Sequence, residues 1–81
     1  MSSVIITLDY PLADGGSEVT ELKLRRPKVR DQLAASHQKG SDAVQELALF
    51  ANLCDLTPAL IEELDIKDYR KLQEAYMGFL D

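Results

Sequence analysis

The chain has few of the residues that small proteins often use to stabilise a fold. Its 81 residues include no tryptophan, one histidine and one cysteine, and aromatic residues make up only 6%. The core must therefore consist mainly of Leu, Ile, Val and Ala, and in a chain of this length it is small. Since a single cysteine, Cys54, cannot form an internal disulfide, we expect a reducing compartment.

Segments that would enter a membrane are also missing. No stretch approaches the ~18 consecutive apolar residues that a transmembrane helix needs. The first residues, MSSVIITLDY, have neither the basic region nor the long apolar run of a signal peptide. We therefore expect no membrane partner and no export through a signal peptide.

The residue groupings that carry most chemistry are absent as well. There is no glycine-rich phosphate loop, no nucleophile beside a base and no cluster of metal ligands. His37 lies alone in a polar stretch. Cys54 lies on the apolar face of a predicted helix, where a small buried hydrophobe is the simplest interpretation and a reactive thiol the alternative. We expect no enzymatic activity, no cofactor and no bound metal.

Charge is unevenly distributed along the chain. The net charge is −5; residues 1–40 contain six Lys/Arg and five Asp/Glu, whereas residues 41–81 contain three and nine. An acidic second half disfavours binding to nucleic acid there, because phosphates would be repelled.

Two segments near the start predict an antiparallel β-hairpin at residues 3–10 and 18–25. Alternation with β-branched residues is typical of strands. Between the segments, Asp14-Gly15-Gly16 offers the positive-φ positions that a reversal needs. Since a lone hairpin is marginally stable, we expect its apolar face to be buried against the helix of residues 44–54. The residues predicted to be buried on that face are Ile6 and Leu8 in the first strand and Leu22 and Leu24 in the second; Val4, Tyr10 and Thr20 share their parity.

The middle of the chain predicts one weak and one strong helix. Pro27 suits the first position of a short helix that ends by Gly40; the alternative is a turn and a half of helix followed by a loop. Its thin apolar stripe is Val29, Leu33 and Ala34. Ser41 is a plausible N-cap of the strong helix. The inward stripe predicted for the strong helix is Val44, Leu47, Ala48, Ala51 and Cys54.

The last third predicts two further helices joined by a sharp turn. Thr57 suits an N-cap, with Pro58 at the first helical position, and Asp65 suits the cap of the final helix. The inward residues predicted for these helices are Leu60, Ile61, Leu64, Leu72 and Tyr76. Two strands followed by helices predict an α+β fold, an N-terminal antiparallel hairpin (residues 3–25) packed against a bundle of three to four short helices (27–81). Residues 1–81 are predicted to form a single domain.

Five of the nine basic residues lie within KLRRPKVR. The functional interpretation is a basic patch for phosphate or an acidic partner, formed by Arg25, Arg26, Lys28 and Arg30. The alternative is a solvated junction between strand and helix, neutralised by neighbouring acids. No aromatic residues are interleaved as in single-strand binders, and we expect the run not to bind DNA.

The end of the chain, YMGFLD, concentrates apolar residues at a helix terminus. Met77 and Phe79 lie about 160° apart on a helix, so some apolar surface must face outward. Met and aromatic side chains adapt to varied helical partners. We predict a partner-binding surface that contains Tyr69, Met77, Phe79 and Leu80.

Three stretches occur in a fixed order: LDYPL before the glycine turn, ELKLRRPKVRD after it, and LTP…I..LDIKDYRKLQ near the end. Together they resemble the Mu-like phage tail assembly proteins, also called phage tail assembly chaperones, over nearly the whole chain. The resemblance implies a non-catalytic protein of the bacterial cytoplasm that is absent from the finished virion. Such a protein holds the tape measure protein soluble while tail tube subunits assemble around it.

The residues themselves are compatible with this function but do not single it out. They offer apolar helix faces, no catalytic grouping and a negative charge that favours solubility. The expected partners are the tape measure protein and, as a further candidate, the tail tube protein; the oligomeric state is left open. Two alternatives are a small bacterial or prophage adaptor for another protein and a nucleic-acid-binding regulator that uses the basic run.

Overall fold

A computed structural model describes residues 3–81 and confirms the α+β prediction. The hairpin and its turn occupy the first part of the chain, and four helices follow. The elements are β1 (Ser3–Asp14), β2 (Ser17–Arg25), α1 (Val29–Ser36), α2 (Asp42–Cys54), α3 (Pro58–Glu62) and α4 (Ile66–Leu80).

The helices cover one face of the hairpin together. β2 packs against α2 and β1 packs against α4, while α1 and α3 both pack against α2. The expectation that the helix of residues 44–54 covers the whole hairpin face is therefore wrong for β1. The amphipathic α4 supplies the second half of the cover.

The hairpin is longer than predicted and contains a large β-bulge. Gly15 and Gly16 both have positive φ, as a two-residue type I′ turn requires. The register changes between the facing pairs Thr7–Glu21 and Leu12–Val19. Between these pairs, four residues of β1 stand opposite a single residue of β2. The strand therefore continues to Asp14 instead of ending at residue 10.

The bulge changes which side chains of β1 enter the core. Ile6, Leu8 and Leu12 are buried, as are their neighbours Leu22 and Leu24 on β2. Extra residues in one strand interrupt the simple alternation of faces, so the parity of Ile6, Leu8 and Leu12 does not hold for every residue between them. The four residues predicted to be buried, Ile6, Leu8, Leu22 and Leu24, are buried. Val4, Tyr10 and Thr20 share their parity but are exposed.

Phe50 lies at the centre of the core. It is almost fully buried, and its ring centroid lies 5.5 Å from those of Tyr69 and Tyr76. Both distances lie in the range that tilted and edge-on aromatic pairs prefer. The buried aliphatic residues of the same cluster come from both strands and from α2 and α4, including Leu8, Leu24, Leu53 and Leu72, and Leu60 of α3 packs against it.

The helix starts confirm most of the predicted caps. Side-chain oxygens of Ser41, Thr57 and Asp65 each accept a backbone N–H from their own first turn, and Pro58 occupies the first position of α3. The prediction for Pro27 is wrong. Since α1 begins two residues later, Pro27 precedes the helix. Its ring only fixes the φ angle of the segment that leads into α1.

Two predicted helix faces are also corrected. In α1, Val29, Leu33 and Ala34 are exposed, and Asp31 and Ala35 are buried instead. In α2, Val44 is exposed, although the periodicity placed it inward. The buried residues of α2 all belong to its second half, so only this half enters the core; they are Leu49, Phe50, Ala51, Leu53 and Cys54.

Replacing Leu8 by alanine tests the hairpin core. Leu8 is buried in the main cluster, so Leu8→Ala should lower the free energy of unfolding by about 2–5 kcal/mol through lost burial and the cavity left behind. Urea unfolding followed by circular dichroism measures this loss. Ile5→Ala is the matched control, since Ile5 lies on the same strand but is 54% exposed and should cost under about 1 kcal/mol. If the two variants lost equal free energy of unfolding, the conclusion that Leu8 faces the core and Ile5 faces solvent would be wrong.

Candidate docking surfaces

Asp68 of α4 is a fully buried carboxylate that holds the bulge of β1. Its side chain is 0% exposed. Oδ1 accepts the backbone N–H of Asp9 at 2.9 Å, and Oδ2 accepts that of Tyr10 at 3.0 Å. Amide groups in a bulge have no partner on the neighbouring strand, and leaving them unpaired in the interior would be costly. The helix therefore supplies the acceptors that β2 cannot provide.

Two lysines of α4 surround the same contact. Lys71 Nζ donates to the carbonyl of Thr7 at 2.8 Å and lies 3.1 Å from a carboxylate oxygen of Asp9. It also lies 3.4 Å from Asp68, and Lys67 Nζ lies 3.0 Å from Asp9. Burial alone would raise the pKa of Asp68, but the two backbone N–H groups and Lys71 outweigh burial and lower that pKa.

Asp31 of α1 forms the second buried polar centre. The guanidinium of Arg25 donates to both of its oxygens, at 2.8 and 2.7 Å. The backbone N–H of Lys28 (2.8 Å) and the side-chain amide of Asn52 (3.0 Å) complete the set of donors. The Arg25 contact lowers the pKa of Asp31 to about 2, against the opposing effect of burial and with help from the Lys28 N–H. This centre connects β2, α1 and α2.

The four residues of the predicted basic patch have different environments. Arg25 is engaged by Asp31, and the guanidinium of Arg26 lies 5.7 Å from the ring centroid of Phe79, a cation–π distance. Lys28, at the N-cap of α1, and Arg30, in its first turn, are exposed, as is Arg26. Only Arg25 is therefore engaged by a buried acid, and the other three residues of the patch remain exposed.

The predicted partner-binding residues on α4 also separate into groups. Tyr69 is partly buried and its hydroxyl donates to Glu46 at 2.8 Å; burial and this contact raise the pKa of Tyr69. Phe79 is partly buried against the core. Met77 and Leu80 are more than half exposed. Three residues apart on a helix, they share one face, and we call this pair the α4 tip.

A further surface lies between α2, α3 and the start of α4. Two adjoining cavities of about 290 and 230 Å³ share Ala43, Leu47 and Glu62 in their walls. We call this surface the α2–α3 groove; the residues that define it are Ala43, Val44, Leu47, Pro58, Glu62 and Tyr69. The sequence does not reveal the groove, because the stripe of α2 that lines it has the periodicity of a core-facing stripe.

The remaining reactive side chains have ordinary environments. His37 is exposed in the turn after α1. Cys54 is buried, and burial raises its pKa to about 11, so the thiol is protonated and unreactive near neutral pH. Within residues 3–81, no group of three or more His, Cys, Asp or Glu side chains is placed to hold a metal ion. No helix in this range is long and apolar enough to cross a membrane.

Neither buried carboxylate was predicted, although the sequence contains a signal for each. Asp68 lies four residues before Leu72, and Asp31 lies four residues before Ala35. Residues four apart share a helix face. An acid on an apolar face is expected to have a partner, because an unpaired buried charge is very costly.

Comparison with known proteins gives one family. The family described as "Phage tail assembly chaperone proteins, E, or 41 or 14" matches residues 5–81, which is nearly the entire chain. Comparisons with curated proteins and with solved structures gave no match.

Replacing Asp68 by asparagine tests the contact between α4 and the bulge. Asn offers one acceptor oxygen and places an NH₂ group where the second backbone N–H needs an acceptor. We expect Asp68→Asn to lower the free energy of unfolding by about 2–4 kcal/mol, as for lost hydrogen bonds to a charged group. Urea unfolding provides the measurement, with Glu74→Gln, an exposed change on the same helix, as the control. A loss no larger than that of the control would show that the carboxylate is dispensable.

The lowered pKa of Asp31 predicts acid sensitivity. Its folded value of about 2 lies below its ordinary value of 3.8, so the folded protein binds fewer protons than the unfolded chain between these values. Stability should be fully present above about pH 4 and fall by about 2 kcal/mol as the pH drops through 2. The difference in unfolding free energy between the wild type and Asp31→Asn should shrink over this window. If this difference in unfolding free energy did not change with pH, the pKa of Asp31 would not be lowered in the folded protein.

Proposed function

Since the chain belongs to the family of phage tail assembly chaperone proteins, we propose that it binds the tape measure protein and keeps it soluble while the tail tube assembles. It acts without catalysis, in the cytoplasm of the host bacterium, and is absent from the finished virion. Family membership already implies an interaction with phage tail proteins in general. The identity of the partner and the mode of action are the proposed part.

The α4 tip is the observation that carries this proposal. Met77 and Leu80 lie on the last turn of a helix whose inner face, which includes Leu72 and Tyr76, packs against the core. The core therefore does not require the tip, and the tip presents adaptable apolar side chains at the surface. Such side chains suit the apolar face of a long helical partner.

The distribution of charge supports the same function. The second half of the chain carries nine acidic and three basic residues, and two of the basic residues, Lys67 and Lys71, are paired with Asp9. A net negative charge keeps a complex with an apolar partner soluble through mutual repulsion between complexes.

The two buried carboxylates agree with a role outside catalysis. Asp31 and Asp68 are the buried charged residues of the described chain, and every buried side-chain polar atom within residues 3–81 has a hydrogen-bond partner. A carboxylate held by several donors and kept ionised is a poor proton acceptor at neutral pH. These groups therefore serve the architecture.

Co-expression with the tape measure protein tests the proposal. The double variant Met77→Ser/Leu80→Ser should reduce the soluble tape measure protein recovered, through an affinity loss of about tenfold or more. Deleting residues 77–81 would also remove Phe79, which packs on the core, so point substitutions are preferable.

The matched control is Val4→Ser/Ile5→Ser, which removes two exposed apolar residues from the hairpin. Both variants should melt within a few degrees of the wild type. If the wild-type chain fails to solubilise the tape measure protein, the proposed function is wrong. If the tip and hairpin variants act alike, the function stands but the tip is not its site.

A further inference from the structure

The two strands of the hairpin have one outer edge each, and α4 occupies only that of β1. Its side chains bind the backbone groups of Thr7, Asp9 and Tyr10. Within residues 3–81, no group forms a hydrogen bond to the backbone of β2 on the side that faces away from β1. β2 therefore ends the sheet with an open edge.

The register identifies the backbone groups that this edge presents. Facing residues of an antiparallel pair either exchange both N–H···O bonds or neither, and the two kinds of pair alternate. The carbonyl of Thr7 accepts from Lys71 and points away from β2, so Thr7 and its facing residue Glu21 form a pair without such bonds. Lys23 faces Ile5 two residues further along and belongs to another pair of this kind. The N–H and C=O groups of Glu21 and Lys23 therefore point outward.

The layer of helices extends beyond this open edge. α4 packs against β1, α2 packs against β2, and α1 packs against α2. α2 contacts α4 through Glu46 and contacts α1 through Asn52. These two residues lie about 120° apart around the helix axis. α1 therefore lies on the side of α2 away from α4, next to the place that a third strand would take.

We propose that the open edge of β2 binds an extended segment of a partner protein, which adds to the hairpin as a third strand. The edge recognises such a segment through the outward N–H and C=O groups of Glu21 and Lys23. The two side chains are exposed, so the added strand should carry a cation beside Glu21 and an anion beside Lys23. A helical segment cannot make these bonds, because its backbone groups are already paired with one another.

A second copy of the chain does not fit the edge. Pairing two β2 edges would bring the α2 of one copy, which covers its own β2, into the space that α1 of the other copy occupies. The occupant is therefore an extended segment with no helix packed on it. The edge is separate from the α4 tip and from the α2–α3 groove, so this inference goes beyond the proposed function.

Nuclear magnetic resonance titration of the isotope-labelled chain with a synthetic peptide tests the proposal. The peptide alternates threonine and valine and carries a glutamate two positions before a lysine. Antiparallel pairing then places the glutamate beside Lys23 and the lysine beside Glu21. The amide signals of both residues should shift and their hydrogen exchange should slow, with a dissociation constant of the order of 1 mM. A peptide with the two charges exchanged should bind several-fold more weakly.

A proline substitution shows whether the backbone makes the contact. Lys23→Pro removes an outward N–H that the hairpin does not use, and proline is tolerated at such edge positions. It should weaken peptide binding by about tenfold or more. Ile5→Pro is the matched control, since Ile5 faces Lys23 from β1 and the change leaves the edge of β2 intact. This control should bind the peptide like the wild type.

A modified peptide covers the case in which a proline variant does not fold. N-methylation of the peptide groups that face β2 removes the same hydrogen bonds without any change to the protein. The methylated peptide should not bind to the wild type at the concentrations used. Lys23→Gln keeps the backbone and changes only the charge, so it should bind the unmodified peptide with its amide protection retained.

The proposal is wrong if the peptide, at about ten times the expected dissociation constant, leaves the amide signals of Glu21 and Lys23 unchanged. It is equally wrong if the methylated peptide binds as well as the unmodified one, since the contact would then not involve the backbone. Shifts of the same signals when the chain alone is concentrated would identify a second copy as the occupant and overturn the proposal as well.

Discussion

The contact between the Asp68 carboxylate and the bulge of β1 determines how the rest of the molecule is arranged. A two-stranded hairpin cannot bury enough surface to fold alone, and its bulge leaves two backbone N–H groups without partners in the sheet. One carboxylate from α4 accepts both, at 2.9 and 3.0 Å. The position of α4 against β1 follows from this contact. The ring of Tyr76 on the same helix then reaches Phe50, and the core closes around that pair.

Asp31 likewise accepts hydrogen bonds from several parts of the chain, at the point where β2 ends. It accepts from Arg25 at the end of β2, from the backbone before α1, and from Asn52 of α2. Both buried acids therefore connect one strand to one or more helices. The stretches that resemble the tail assembly proteins contain these contacts: LDYPL holds the bulge, LDIKDYRKLQ holds Asp68 and its lysines, and ELKLRRPKVRD holds Arg25 and Asp31. In this chain, these stretches therefore have an architectural role.

Local features could be predicted from the sequence, and features set by distant contacts could not. The glycine turn and the caps at Ser41, Thr57 and Asp65 depend on residues within one turn of each other, so their chemistry is visible in a short window. The bulge depends on an acceptor 59 residues further along the chain. The buried half of α2 depends on where the hairpin and α4 pack. A period of 3.6 residues identifies an apolar stripe but does not say whether a core or an open groove lies opposite it.

The sequence also does not show which charged and apolar residues stay exposed, because it does not show what lies opposite each residue in the fold. KLRRPKVR looks like one basic patch in the sequence, but two of its arginines face Asp31 and Phe79. Two of the basic side chains that remain exposed, Lys28 and Arg30, flank the exposed Val29 at the start of α1. Both buried carboxylates are already paired within the chain, so under the proposed function recognition would depend on exposed apolar residues and on the sign of the charge around them. The α4 tip and the α2–α3 groove differ in this respect, because the tip presents the exposed Met77 and Leu80, whereas Glu62 lies in the wall of the groove.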